Sequence, residues 1–520
     1  MIVILSVLTA FSLVSTTFVD LYDRVYYIGD SIFFHCLTII ALAAAVYLFN
    51  AKVKFRVTDR MLIFTLAIMT VLSVVFITVM KLPPRFDQRE VWSTAGDLLV
   101  GIKDDFQPGG YAQIYPYNHG ITLFYRVLMG FMGFDGYIKT QYINLVFMVM
   151  TVLGFYFVLK HITPCFREAT LGLILFMPYW GYATFLYGNI PGFCFGMWSL
   201  YFGFRFLEEY RIYQALVSSF LMTIAFRFKE HFAILVIAMS ITVVCVLLKS
   251  RRIRGLLLIV SMLLFLYISG IAMDKVFSSI ADYIPSNGIP SLPYIAMGLH
   301  EHAERGAGWH DNYPEDTYEE TGHDPERTNE LAVEDIKASI DNFVSHPQYM
   351  LGFFARKIAS MWNEPTYYSW TLQQGRDSGR DASLFLPLME WVYYFNDTMQ
   401  SILYFFALIY FWRHRNDTEF LPLFFALFFI GGFLCHIVWE AASQYALFYS
   451  MGITIYAALG IAEVYRAISV WDMKKTSKAV LIAMIAGMIL SVRIIPSVLT
   501  LDRDNARYEE YMSKIGQREK

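Results

Sequence analysis

Asp87 is the residue of this chain best placed for chemistry. It sits in Lys81–Val91, KLPPRFDQREV, directly after an apolar run and among Arg85, Arg89 and Glu90. Pro83 and Pro84 end the preceding helix and stiffen its exit, because proline lacks the amide that a helix interior needs. The turn holds the carboxylate near the membrane edge instead of letting it swing free. The same cluster also suits interfacial snorkelling, in which long side chains keep their charged heads in water.

Two further groups supply other charges. FRFKEHF (Phe226–Phe232) places Arg227, Lys229, Glu230 and His231 between two apolar runs with almost no loop. Charge at membrane depth is costly and marks function by default. A cationic pair there suits a phosphate, arginine as a fork and lysine as a point charge, while an internal ion pair with Glu230 is the plainer alternative. HIVWEAASQYALFYS (His436–Ser450) carries Glu440 and Gln444 four residues apart, on one face if helical, with His436 a turn back. That alignment serves either a lined cavity or helix-packing hydrogen bonds.

Between the first two groups runs DLLVGIKDDFQPGGYAQIYPYNHGITLFYRVLMGF, with a short helix, a glycine turn, YPYN and an amphipathic segment. Tyr111, Tyr115 and Tyr117 suit headgroup level, the commoner role, and also suit stacking on a sugar. RKIASMWNEPTYYSW, with Glu364, reads mainly as interfacial anchoring, with substrate contact as the second reading. His300, His302, His310 and His323 stand among carboxylates, where a divalent cation is conceivable. Their spacing matches no ligand motif, so EHAERGAGWHDNYPEDTYEETGHDPER reads as a mostly irregular, solvated loop, and no metal site is assigned.

The elements that must hold these residues are apolar helices. The 520 residues are 57% hydrophobic and 16% charged, with a mean hydropathy of +0.46, against about 25% charged in soluble proteins. The expected fold is an all-α polytopic membrane protein. Spans are expected near 2–19, 31–50, 61–81, 138–159, 168–185, 190–207, 212–228, 232–249, 255–274, 399–412, 420–438, 445–465 and 479–497. The first run lacks a basic leader region and a cleavage site and reads as a retained helix. Basic loops all fall on the cytoplasmic side only if 119–134 lies along the outer leaflet. This gives about 13 transmembrane helices, an inside N-terminus and an outside C-terminus. Three regions follow: a membrane module at 1–274 with an outer loop at 82–137, an extracytoplasmic loop region at 275–398, and a second membrane module at 399–520. The net charge of −3 does not identify a partner, and nucleic acid is not expected as one. The five cysteines show no paired spacing.

Taken in order, the Asp87 loop, GGYAQIYPYNHG, LYGNIPGF, RFK and the late WEAASQY resemble the C-type glycosyltransferase (GT-C) superfamily. The likeness is to bacterial relatives of protein O-mannosyltransferases and of the lipid A aminoarabinose transferase. It covers about residues 60–250 and, more loosely, 350–465. The resemblance implies inverting sugar transfer from a polyprenyl-phosphate donor to a lipid, glycan or protein acceptor, at the extracytoplasmic face of a multi-pass cell-membrane enzyme. It implies Asp87 as base and Lys229, with Arg227 and His231, at the donor phosphate. It also implies Gln88, Tyr111, Tyr115, Tyr117, Asn118, Asn189, Glu440 and Gln444 as substrate-binding. No cofactor is required by this scheme, although a divalent cation is compatible with it. Gln88, Asn189 and Gln444 depart from the family's usual acidic or arginine residues, which argues against protein mannosylation. A polymerase or ligase using pyrophosphate-linked saccharides, and a lipid-linked saccharide transporter, are the rival expectations.

Overall fold

The computed structural model describes residues 1–31, 33, 35–41, 44, 56–251, 253–283, 288–302, 305–374, 386–415, 423–469 and 494–517. Half of the expected span at 31–50 lies outside the described residues, and so does most of that at 479–497.

The first helix, α1 (Ile2–Val14), is shorter than the expected span 2–19. Ser15–Val19, STTFV, is instead strand β1, antiparallel to β2 (Val25–Gly29), with Ser15 opposite Gly29 and Val19 opposite Val25. Thr16, Thr17 and Val19 are β-branched and favour a strand over a helix end. Asp20 closes the turn by accepting from the amides of Tyr22 (2.8 Å) and Arg24 (3.0 Å). Among the described residues this is the one paired sheet, a small hairpin in a mainly helical fold.

Helix α2 (Asp59–Met80) is followed by α3 (Asp87–Val100), α4 (His119–Met132) and α5 (Tyr137–Ile162). Fourteen residues of α4 rise about 21 Å, too short for a bilayer core. The expected span 168–185 is broken: α6 (Phe166–Ile174) stops, and Pro178 lies in the first turn of a separate short helix, Met177–Trp180. Helices α7 (Asn189–Glu209), α8 (Ile212–Phe228), α9 (Ala233–Ser250) and α10 (Leu256–Ala281) follow. Small residues bring α7 and α8 together: Ser199 Oγ donates to the Ser218 carbonyl (2.7 Å) and Ser218 Oγ to that of Ser199 (2.8 Å).

Among the described residues five helices are long and apolar enough to cross a membrane: 59–80, 134–162, 230–250, 253–281 and 443–465. The protein is therefore a helical, multi-pass membrane protein by length and composition. Only 17% of the apolar window in 253–281 is buried, against 78% in 443–465, so the first is a rim helix and the second a central one.

The acidic stretch is more ordered than expected. It contains α11 (Tyr313–Glu320), and Ala307, Trp309 and Tyr318 are buried. It leads to α12 (Pro325–Ser345), capped by Asp324, and α13 (Pro347–Trp362), the two separated at His346, with Pro347 starting the second. Helices α14 (Leu386–Arg413), α15 (Phe424–Val438) and α16 (Ser443–Ser469) complete the described bundle. Finally α17 (Leu501–Gln517) lays Tyr508 and Tyr511 against Phe18 and Tyr26 of the hairpin, at ring separations of 5.1–6.2 Å. Helices α8 and α15 end, and α3, α7 and α16 begin, around one cavity at the end of the bundle, to which the hairpin and the long loop also contribute.

Candidate functional site

The Asp87 loop is fastened by a buried arginine. Arg85 is 2% exposed, which excludes the snorkelling role, and its guanidinium donates to the carbonyl of Leu372 and to the carbonyl and hydroxyl of Thr184 (3.2 and 2.8 Å). Phe86 follows with φ +53°, a conformation costly for a residue with a side chain. Asp87 is then the first residue of α3 and exposes its carboxylate to the cavity.

Lys229 reaches the same cavity because two glycines let three backbones meet. A Cβ on Gly120 would lie 1.7 Å from the Arg227 carbonyl oxygen, and one on Gly188 would lie 1.9 Å from that of Phe228. Neither position accepts a side chain without moving the Arg227–Lys229 turn. The ammonium stands 4.4 Å from the Tyr187 ring centre and 5.1 Å from that of Tyr117. These faces stabilise the cation without neutralising it. Lys229 Nζ donates weakly to the Tyr187 hydroxyl (3.5 Å), which donates to Asn118 Oδ1 (2.9 Å), while Asn118 Nδ2 donates to the Tyr111 hydroxyl (2.9 Å).

The opposite wall comes from far along the chain. Trp309 forms a parallel bridge with Ala441, and the Ala441 amide donates to the Gly308 carbonyl (2.8 Å). Buried Lys357 donates to the carbonyls of Gly298 and Trp439 (the latter 2.8 Å). These ties bring His310 and Glu440 to the cavity. Behind them Glu315 accepts from the Tyr115 hydroxyl (2.5 Å) and pairs with His310 Nε2 (3.1 Å).

The cavity is about 190 Å³ and is lined by Asp87, Lys229, Tyr115, Tyr117, Asn189, Glu440 and Gln444, all singled out from the sequence. Glu440 and Gln444 do not share a helical face, because Glu440 lies in the break before α16; both reach the cavity nonetheless. Gln88 is buried in the layer behind, donating to the Tyr125 hydroxyl (3.2 Å) and the Leu186 carbonyl (2.6 Å), and Tyr111 and Asn118 belong to that layer too. Arg227 turns away, donating to Ser269 Oγ (2.8 Å) and the Leu266 carbonyl (3.2 Å) on α10. His231 packs among Phe232, Tyr445 and Phe448 behind the wall. Glu364 is no interfacial anchor: fully buried, it accepts from the Thr366 amide (2.9 Å), the Thr366 hydroxyl (2.6 Å) and the Tyr368 amide. It holds the turn at Tyr367 and Tyr368, both with positive φ, and Tyr368 lines the cavity beside Phe86.

Sequence reasoning missed Asp23, Tyr187, Tyr294, Arg305, Trp309, His310 and Tyr368, which also line it. Tyr187 lay in the LYGNIPGF turn already singled out, His310 was considered only as a cation ligand, Arg305 and Trp309 lay in the acidic stretch, and Tyr368 lay in RKIASMWNEPTYYSW; Asp23 and Tyr294 carried no local signal.

The charges are set against one another. Loss of water raises Asp87 above the usual aspartate range, against the pull of Lys229 and His310. Burial lowers Lys229 to about 8, opposed by Asp87 and Glu440. For His310 the loss of water is outweighed by the Glu315 hydrogen bond and the nearby carboxylates, which push it up to about 9. Glu315 is lowered: burial is outweighed by His310 and Tyr115. The site thus holds a carboxylate ready to take a proton and a cation ready to receive negative charge.

Of the loop histidines considered for a divalent cation, His300 pairs with Asp311 (2.5 Å) and His310 with Glu315. Among the described residues the one group of three close potential ligands is Asp30, His35 and Asp397, away from the cavity lining. There His35 Nε2 lies 2.8 and 3.1 Å from the two carboxylates. No cysteine pair forms among the described residues.

No protein-family model matches the chain, and no curated protein sequence is significantly similar to it, so the reading of the site rests on its residues and their geometry.

Proposed function

We propose that the protein is an inverting glycosyltransferase of the GT-C type, moving a sugar from a polyprenyl-phosphate carrier to an acceptor at the extracytoplasmic membrane face. The observation that carries this reading is the convergence of Asp87 and Lys229 on one aromatic-walled cavity. Asp87 accepts the proton of the acceptor's hydroxyl or amine as that atom bonds to the anomeric carbon. The bond from the anomeric carbon to the phosphate oxygen breaks, its electron pair stays on that oxygen, and Lys229 neutralises the departing phosphate. Attack opposite the leaving group inverts the anomeric configuration. Tyr115 and Tyr117 flank the sugar, and Asn189, Glu440 and Gln444 offer hydrogen bonds to its hydroxyls.

The cavity's about 190 Å³ falls below the roughly 300–1,000 Å³ of sites for larger ligands. This favours a single sugar over the pyrophosphate-linked saccharides of a polymerase or ligase. The test is incubation of purified protein with labelled undecaprenyl-phosphate sugars and a membrane extract as acceptor source. Transfer that disappears in a folded Asp87→Asn variant supports the reading. Unchanged transfer in that variant removes Asp87 as base, and no transfer from any monophosphate donor removes the class.

A further inference from the structure

Arg305 belongs to two cavities. On one side it borders the Asp87–Lys229 cavity, and on the other it lines a second one of about 340 Å³ among β2, Glu301, His302, Gly306, α13 and the start of α17. Among the described residues four guanidinium groups, those of Arg305, Arg356, Arg503 and Arg507, meet two carboxylates there, those of Glu301 and Asp504.

Both carboxylates are already engaged. Glu301 takes a two-point fork from Arg356, at 3.0 and 2.7 Å. Buried Asp504 offers one oxygen to Arg507 (2.9 Å) and to Arg503 (3.3 Å). Arg305 stands 3.7 Å from Asp23, outside this cavity, and donates to the His310 carbonyl (2.5 Å). Cations gathered around a polar hollow with too few counter-charges leave a positive potential. Planar guanidinium forks match the oxygens of a phosphate better than any other common group.

We propose that this second cavity binds a phosphate group carried by the acceptor, holding it beside Arg305 so that the acceptor's nucleophile enters the Asp87 cavity next door. That the ligand is the acceptor rests on the transferase reading; that the cavity binds phosphate does not. The group could belong to a lipid headgroup or to a water-soluble phosphorylated molecule, and the two are separable.

The full-length protein is placed in phosphatidylcholine nanodiscs and titrated with glycerol 1-phosphate, followed by calorimetry. In parallel, its thermal midpoint is compared between phosphatidylcholine and phosphatidylglycerol nanodiscs. Saturable binding of glycerol 1-phosphate supports a soluble source, and a raised midpoint only in phosphatidylglycerol supports a headgroup. In either arm Arg503→Gln with Arg507→Gln weakens the response about tenfold or more. Because both side chains pair with buried Asp504, the comparison is repeated in an Asp504→Asn background, where the double substitution strands no buried charge and should cause the same loss of response. Asp504→Asn frees both arginines and strengthens the response. Equal responses from wild type and the double variant in both arms, or no saturable response to either probe, overturn the proposal. Sugar transfer plays no part in the readout, so this inference and the transferase reading fail separately.

Discussion

Asp87 makes no hydrogen bond among the described residues, whereas Glu315, behind the opposite wall, is gripped by Tyr115 and His310. Their proton affinities move in opposite directions: Asp87 is raised chiefly by loss of water, and Glu315 is lowered because its partners outweigh the same effect. A carboxylate with no partner is free to accept a proton during a reaction. A carboxylate with two partners is a strut. On the proposed reading the contrast separates the reactive side of the cavity from the side that holds its shape, and it can be broken experimentally at either end.

The largest effect is expected at Asp87. Asp87→Asn should lower transfer by about 10²–10⁴-fold with an unchanged thermal midpoint, because the side chain is exposed in the cavity and ties nothing down. Lys229→Met comes next, with a loss of about 10²–10³-fold in kcat. It should also shift the acid limb of the pH–rate profile to higher pH, since Lys229 pulls Asp87 down. In the wild type that profile should rise as the elevated Asp87 loses its proton and fall near pH 8 as Lys229 loses its own. A profile flat across that range would undo the pairing of base and cation.

Smaller effects should follow on the other side. Glu315→Gln is expected to cost about 1–3 kcal/mol of stability, measured by denaturation, as a charged hydrogen bond is lost. The pH dependence has a definite sign. Glu315 is lowered in the fold, so its contribution is present above the ordinary glutamate pKa and lost as pH falls through the lowered folded value. His310 is raised, so its contribution is full below the ordinary histidine pKa and lost as pH rises through about 9. The variant should flatten both limbs. Tyr115→Phe, which removes one hydrogen bond, should cost only about 0.5–1.5 kcal/mol. If Glu315→Gln leaves stability untouched and abolishes transfer, the division between reactive and supporting carboxylates is wrong.

Much of this was legible in the residues. Long apolar runs indicated a helical membrane protein, and the family resemblance, more than any local spacing, implied that Asp87 and Lys229 serve one site. The hairpin was missed because Ser15–Val19 continues an apolar run, and hydropathy does not distinguish strand from helix. The acidic loop looked solvated because charge count dominates such stretches; Ala307, Trp309 and Tyr318 are buried by packing against residues far along the chain. Arg85 looked like a surface charge because its partners at Thr184 and Leu372 include backbone carbonyls, which have no signature in sequence. Arg227 and Lys229 are two residues apart, yet the helix end turns one toward α10 and the other toward the cavity.

Phe86 has a further consequence. Its positive φ immediately before Asp87 means that aiming the carboxylate is opposed by the backbone, at a cost of about 1–3 kcal/mol. Selection for heat tolerance alone would therefore favour glycine at position 86, where the strain vanishes and the helix start gains freedom. On the proposed reading such a protein would survive higher temperatures while turning over more slowly, so durability and speed compete at a single peptide unit.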